Sequence, residues 1–259
     1  MATQIDSLLN KRNEMIKKRN LLLFFVSFPL FLFIVIFVVL SYMTNLGNDL
    51  IITIYLPISI IYLIFTLWVK GKFSYYEMNI QYLSMLLDEI GPVKLGRKIF
   101  TTSWVEKIKE NGFKLLSDEK DYMYFYLYTD KLNKISNRKD ACISIVLAKN
   151  SSFDFYSEHL ENEKIKLLSL EPKGFKTKIQ ITLQFIMYDQ MDEETTNKIS
   201  RIINFKSNQQ YLIHITVGYF SDQNMIYFLC PQKAYPSKYY YYACWYIKEL
   251  CEVEDKVIK

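Results

Sequence analysis

The chain has 259 residues, a net charge of +5 and four cysteines. That length holds one ordinary domain plus an appendage, and the charge is too mild to mark a nucleic-acid binder. The cysteines (Cys142, Cys230, Cys244 and Cys251) contain no C-x-x-C pair and have no histidine close in sequence. They read as reduced, buried apolar thiols rather than zinc ligands or disulfides.

The appendage comes first. Residues 21–43 and 50–69 carry no charged side chain, and each is long enough to cross a bilayer as a helix. An apolar core this long, with no small-residue cleavage site after it, excludes a secretory signal peptide. Only the 44–49 loop separates the two stretches, so they are expected to form an antiparallel transmembrane hairpin. Lys11, Arg12, Lys17, Lys18 and Arg19 precede it, Lys70 and Lys72 follow it, and the loop has no Lys or Arg. Basic flanks stay inside, which puts both termini in the cytoplasm and the protein in the plasma membrane. Residues 1–20 are then a basic cytoplasmic segment, and the lipid bilayer is the first partner. Pro29 and Pro57 interrupt the spans, where proline is tolerated. No Asp, Glu, Lys, Arg or His lies within either span, which argues for an anchor rather than a transporter. The hydroxyls of Ser27, Thr53, Ser59 and Thr66 are what a pore would have to use.

Residues 70–100 form a juxtamembrane helix and linker. Phe73, Tyr76, Ile80, Leu83, Leu87 and Ile90 repeat at three and four, the spacing of a helical seam. Its charge pattern lacks the pairs of a coiled coil, so packing on the chain's own domain is expected ahead of a homodimer through the 73–90 helix. The linker GPVKLGRK, 91–98, approaches the phosphate-loop pattern. It follows a helix instead of a strand, Arg97 stands at the lysine position and Lys98 at the Ser/Thr position. The next helix is expected to be capped only at Ser103, by a Ser103–Glu106 box. The segment therefore reads as a Gly/Pro break between helices, and Arg97 and Lys98 join the lipid-facing basic candidates.

Residues 101–259 are expected to form a cytoplasmic mixed-sheet domain of order α-β-β-β-α-β-α-β-β-α. Helix 103–111 stops at Asn111-Gly112. DYMYFYLYTD (121–130) alternates as a strand, and ACISIVLA (141–148) is apolar on both faces and so central. A helix over 153–172, a strand over 177–188 and a helix over 192–203 follow. The segments 209–220 and 224–230 read as a hairpin, and a last helix spans 236–252.

No segment carries a catalytic signature. Asp189, Asp192, Glu193 and Glu194 suit the first turn of a helix better than a cation. Lys131, Lys134, Arg138 and Lys139 read as a solvated turn. The α-β-β-β-α-β opening resembles the element order of restriction-endonuclease-like nucleases. That resemblance implies an Asp and a Glu-x-Lys on the third strand, and ACISIVLA carries no acid.

The remaining feature is a polar sheet face. Tyr122, Tyr124, Tyr126 and Tyr128 alternate with apolar residues, as do Gln180, Thr182 and Gln184, and His214 and Thr216. If their strands pair, these side chains share a face suited to recognition. The expected function is a membrane-anchored cytoplasmic binding or scaffold protein. It would meet an unidentified protein partner through Tyr122, Tyr124, Tyr126, Tyr128, Gln180, Gln184 and His214. No cofactor, metal or catalytic group is expected, and nucleic acid is not the expected partner. A two-span pore-forming effector with a cytoplasmic sensing domain is the alternative, and an enzyme with a spatially assembled site comes third.

Overall fold

A computed structural model describes residues 2–43, 48–136, 139–207 and 210–253. Residues 44–47 of the expected loop, Asn137 and Arg138 of the basic turn, and Gln209 lie outside the described residues. The chain divides into two units, one up to Leu87 and one from Asp88 on.

The first unit is a pair of helices, α1 (Ala2–Met43) and α2 (Asn48–Leu87). They run through Pro29 and Pro57 without ending. Both are longer than expected. At 1.5 Å per residue, 42 and 40 residues make rods of about 60 Å. The basic segment 1–20 is therefore not a flank of separate structure. It is the first half of α1, and the juxtamembrane helix is the second half of α2. The reason is visible in the spacing of Leu8, Arg12, Met15, Ile16 and Arg19, which form a half-buried stripe, while Lys18 and Glu14 pair one turn apart at 2.6 Å.

α1 and α2 pack along each other in opposite senses. Arg19 Nη1 meets Glu77 Oε1 at 2.8 Å, the Tyr62 hydroxyl donates to the Val26 carbonyl at 2.7 Å, and Tyr55 meets the Phe33 and Phe37 rings at 4.6 and 5.0 Å. Each helix is long and apolar enough to cross a membrane, and the apolar windows are almost wholly exposed. In the seam, Leu83 is buried and Tyr76, Ile80 and Leu87 are half-buried.

The second unit is an eight-stranded mixed sheet with helices on both faces. In chain order it contains β1 (Val93–Lys94), α3 (Thr102–Glu110), β2 (Lys114–Asp118), β3 (Tyr122–Thr129), β4 (Ala141–Ala148), α4 (Glu158–Ser169), β5 (Ile179–Tyr188), α5 (Glu193–Ile199), β6 (Ile203–Ser207), β7 (Gln210–Phe220), β8 (Met225–Tyr227) and α6 (Lys238–Leu250). The strands lie side by side in the order β1-β8-β7-β5-β4-β3-β2, with β6 also on β7. β4, β5 and β7 are parallel and central, and the outer strands pair antiparallel. Parallel neighbours need crossovers, and α4 and α5 supply them.

Several boundaries differ from the sequence reading. The expected order lacks β1 and β6. GPVKLGRK is not a plain break between helices, because Val93 and Lys94 pair with Ile226 and Met225 at the edge of the sheet. Helix α3 is capped by Thr101, whose hydroxyl accepts from the Trp104 amide at 3.3 Å, so Ser103 lies inside the helix. α4 begins at Glu158 instead of 153 because the side chains of Asn150 and Asp154 take the amides of Ser152 and Tyr156 at 3.0 and 2.9 Å. Those local turns compete with helix. β6 occupies residues read as helix end and loop, and pairs with Gln210–His214.

One sheet face is apolar. Ile143, Ile145, Ile181, Leu183, Phe185, Ile213 and Ile215 are buried there, and each such side chain contributes about 1.5–3 kcal/mol. α3 and α6 lie over it. The Trp104 ring meets Phe185 at 5.3 Å, and its N–H donates to the Leu250 carbonyl at 3.0 Å. α4 and α5 cover the other face. At Gly218 the sheet packs closely on α5. A Cβ there would stand 2.3 Å from Ile199 Cδ1, so a larger residue forces the Ile199 side chain to move.

Candidate functional site

The second face of the sheet is polar at its centre. Strand register aligns Tyr126, Ser144, Thr182 and His214 in one row, from β3 to β7. The row on one side holds Tyr128, Cys142, Gln180 and Leu212. The row on the other holds Tyr124, Val146, Gln184 and Thr216. The expected shared face is therefore present. Period-two alternation puts these residues opposite the isoleucines of the same strands.

The face is not an open platform. Tyr122 and Tyr124 are buried, in a cluster that includes Leu160 and Leu167 of α4, so these two tyrosines belong to the core. Tyr126 and Tyr128 are half-buried. Gln184 is buried and accepts from the Thr216 hydroxyl at 3.1 Å. Gln180 is exposed and His214 is buried.

Beside α4 the face stays uncovered and a cavity of about 400 Å³ opens. Its floor is Ser144, Thr182, His214 and Gln180, and its wall on the helix side is Glu161, Lys164, Ile165 and Leu168. Tyr128 fixes this wall, its hydroxyl donating to the Leu167 carbonyl at 2.7 Å. Lys164 and Glu161 neutralise each other at 2.6 Å. At the mouth, Tyr156, Ile165 and Leu168 are 58, 65 and 59 % exposed.

The electrostatics are those of a neutral floor. Burial, with Lys164 adding and Glu161 opposing, pushes His214 down to about 4. Its imidazole is therefore neutral at ordinary pH, and Nδ1 has no hydrogen-bond partner among the described residues. Burial raises Tyr124 to about 12 against a hydrogen bond from Ser144. The Cys142 thiol is likewise pushed up to about 12 by burial. Cys142 is thus a protonated wall group. On β4 the side chains facing α4 are Cys142, Ser144 and Val146, with no acid where the nuclease-like order would place metal ligands.

Of this site, the sequence pointed to Tyr124, Tyr128, Gln180 and His214, but not to Ser144, Glu161 or Lys164. Ser144 had a signal, as the one hydroxyl in an otherwise apolar central strand. Glu161 and Lys164 had none, because nothing in a helix's sequence states which sheet face it covers.

The other candidates are dispersed. Lys11 and Lys17 are exposed on α1, Arg12 is half-buried, and Lys18 and Arg19 are paired with Glu14 and Glu77. In the second unit, exposed Arg97 pairs with Glu252 at 3.2 Å and Lys98 is exposed. Lys134 and Lys139 stand over the Trp245 and Tyr211 rings, 5.7 and 5.1 Å from the centroids. Asp192 caps α5, accepting from the Thr195 amide at 2.7 Å, and Glu194 pairs with Lys198. All four cysteines are free and buried.

Set against protein-family models, curated proteins and solved structures, the chain gives no match to any of the three.

Proposed function

We propose that this protein is a membrane-anchored binding protein. In this reading the α1–α2 hairpin sits in the plasma membrane with both termini cytoplasmic, and the mixed-sheet unit recognises a ligand in the cavity beside α4. The anchor is supported by two apolar helices whose outward faces stay exposed, unlike the core helices of a soluble fold. It is also supported by the basic flanks. Ser59 and Thr66 donate to the carbonyls of Tyr55 and Leu63 on their own helix, which favours an anchor over a hydroxyl-lined pore.

The binding reading rests on one observation. A buried histidine with an unpartnered nitrogen lies in a polar row at the centre of a sheet, facing a cavity. Buried polar groups without partners destabilise the fold that holds them, by about 1–3 kcal/mol each, and sheet centres are ordinarily apolar. A site that must hold something polar explains the arrangement.

Native mass spectrometry of the full-length protein, released from its own membranes in detergent, tests this. A bound species is expected, and its occupancy should fall when His214→Phe fills the cavity. A spectrum of protein alone, together with no partner captured by a photoreactive side chain placed at Leu168, would reject the binding reading. For the anchor, a Thr44→Cys variant should react with impermeant maleimide from outside intact cells. Reaction only with a permeant reagent would reverse the orientation.

A further inference from the structure

We infer that the cavity beside α4 takes an uncharged heteroaromatic molecule, a nucleobase or nucleoside, with the polar edge of its ring turned toward Thr182 and His214. This rests on the binding reading above and narrows it to a ligand class.

Size comes first. A volume of about 400 Å³ lies at the small end of ligand sites. It would hold roughly a dozen waters at about 30 Å³ each, and so a nucleobase, with any ribose left in the solvent at the mouth.

Charge comes second. The cation and anion that face the cavity, Lys164 and Glu161, are already paired at 2.6 Å, and the floor carries neutral groups. An ionised ligand would leave water for a site with no free counter-charge, which is strongly unfavourable. Phosphates and carboxylates are thereby disfavoured.

Polarity is the third constraint. The neutral polar groups are gathered on the floor, in Ser144, Thr182, Gln180 and His214, while the wall and mouth are mostly aromatic and aliphatic, Tyr156, Ile165 and Leu168 among them, apart from the paired Glu161 and Lys164. A sugar or polyol presents hydroxyls on every side and would leave some of them against apolar walls. A heteroaromatic ring is apolar on its two faces and polar along its edge, which is the distribution the walls and floor require.

His214, which carries the binding reading, also limits the ligand. It is only 6 % exposed and lines the cavity, while its Nδ1 is sealed from solvent and has no partner among the described residues. A neutral imidazole offers one donor and one acceptor, so a ligand's ring edge meets the ring at its other nitrogen.

The test uses the full-length protein in detergent micelles. Adenosine, guanosine, cytidine and uridine are titrated by calorimetry and thermal shift, beside adenosine monophosphate and glucose. At least one nucleoside should bind saturably and raise the melting temperature. Thr182→Val keeps the shape and removes the hydroxyl, and should weaken that binding about tenfold. His214→Gln should weaken it as well, and Thr182→Val should melt close to wild type without ligand. The monophosphate should bind at least tenfold more weakly than its nucleoside.

Glucose or the monophosphate binding more tightly than every nucleoside would overturn the assignment. So would nucleoside binding that survives both substitutions, because the site would then lie elsewhere. An oligoribonucleotide binding far more tightly than its nucleosides would replace the small molecule with RNA. If native mass spectrometry shows a bound species of another chemistry, the ligand class fails and the binding reading stands. If neither experiment shows binding, both fail.

Discussion

The Tyr128 hydroxyl donates to the Leu167 carbonyl across 2.7 Å. A strand in the floor of the cavity thereby holds the last turn of the helix that forms its wall. Tyr128→Phe should cost about 0.5–1.5 kcal/mol and loosen α4 specifically. Hydrogen exchange should accelerate at Leu167–Leu170 more than elsewhere in the sheet unit. Uniform acceleration would mean that the bond supports the fold as a whole and not the cavity wall.

Tyr124 and Tyr126 are neighbours in sequence spacing but not in burial. Tyr124 is 1 % exposed, so Tyr124→Ala should destabilise by about 3–5 kcal/mol. Half-buried Tyr126 should cost distinctly less on the same change. Thermal melts of the two single variants check this, and equal losses would contradict the described packing under α4.

At Gly218 the effect has the opposite origin. Gly218→Ala adds a Cβ 2.3 Å from Ile199 Cδ1, and overpacking of this kind costs about 1–3 kcal/mol. Ile199→Val removes the clashing methyl and should recover part of the loss in the double variant. Simple additivity of the two changes would show that they do not meet.

His214 gives a pH signature. Its folded value, near 4, lies below the unfolded 6.5, so the neutral form is the one the fold prefers. The stabilisation is complete above 6.5 and is lost as pH falls from 6.5 toward 4, by at most about 1.4 kcal/mol per unit. Lys164 and Glu161 are the charged groups facing it, and Lys164 sharpens the loss. Melting curves of wild type and His214→Gln between pH 7.5 and 4.5 should converge as pH falls. A constant gap would place the histidine in water.

The hairpin should not conduct. No Asp, Glu, Lys, Arg or His lies in either apolar stretch, and Ser59 and Thr66 bond to their own helix. Planar bilayers with purified protein should stay silent. Single-channel steps abolished by Ser59→Ala would turn the hairpin from anchor to pore.

Much of this architecture is legible in the chain because period and punctuation state it. The alternation of Tyr122 to Tyr128 and of Ile179 to Phe185 gives strands and their faces, and Pro172, Gly112 and Pro236 mark boundaries. β6 was hidden because INFKS is short and follows directly on α5. Its strand identity comes from β7 beside it. Residues 1–20 looked like a charge flank, yet the spacing of Leu8, Arg12, Met15 and Arg19 already carries a helix. The cavity was half legible. Which residues share the floor follows from alternation, whereas the helix lying over them is a tertiary choice that no local pattern encodes.

Contacts fix the hairpin's alignment at three levels, Arg19 with Glu77, Tyr62 with Val26 and Tyr55 with Phe33. Sliding one helix past the other by a single turn, 5.4 Å, would break all three together. In the proposed setting the pair therefore cannot adapt to a thinner bilayer by shortening its overlap. Where it tilts, it leans as one body, so lipid thickness is converted into an angle shared by both helices.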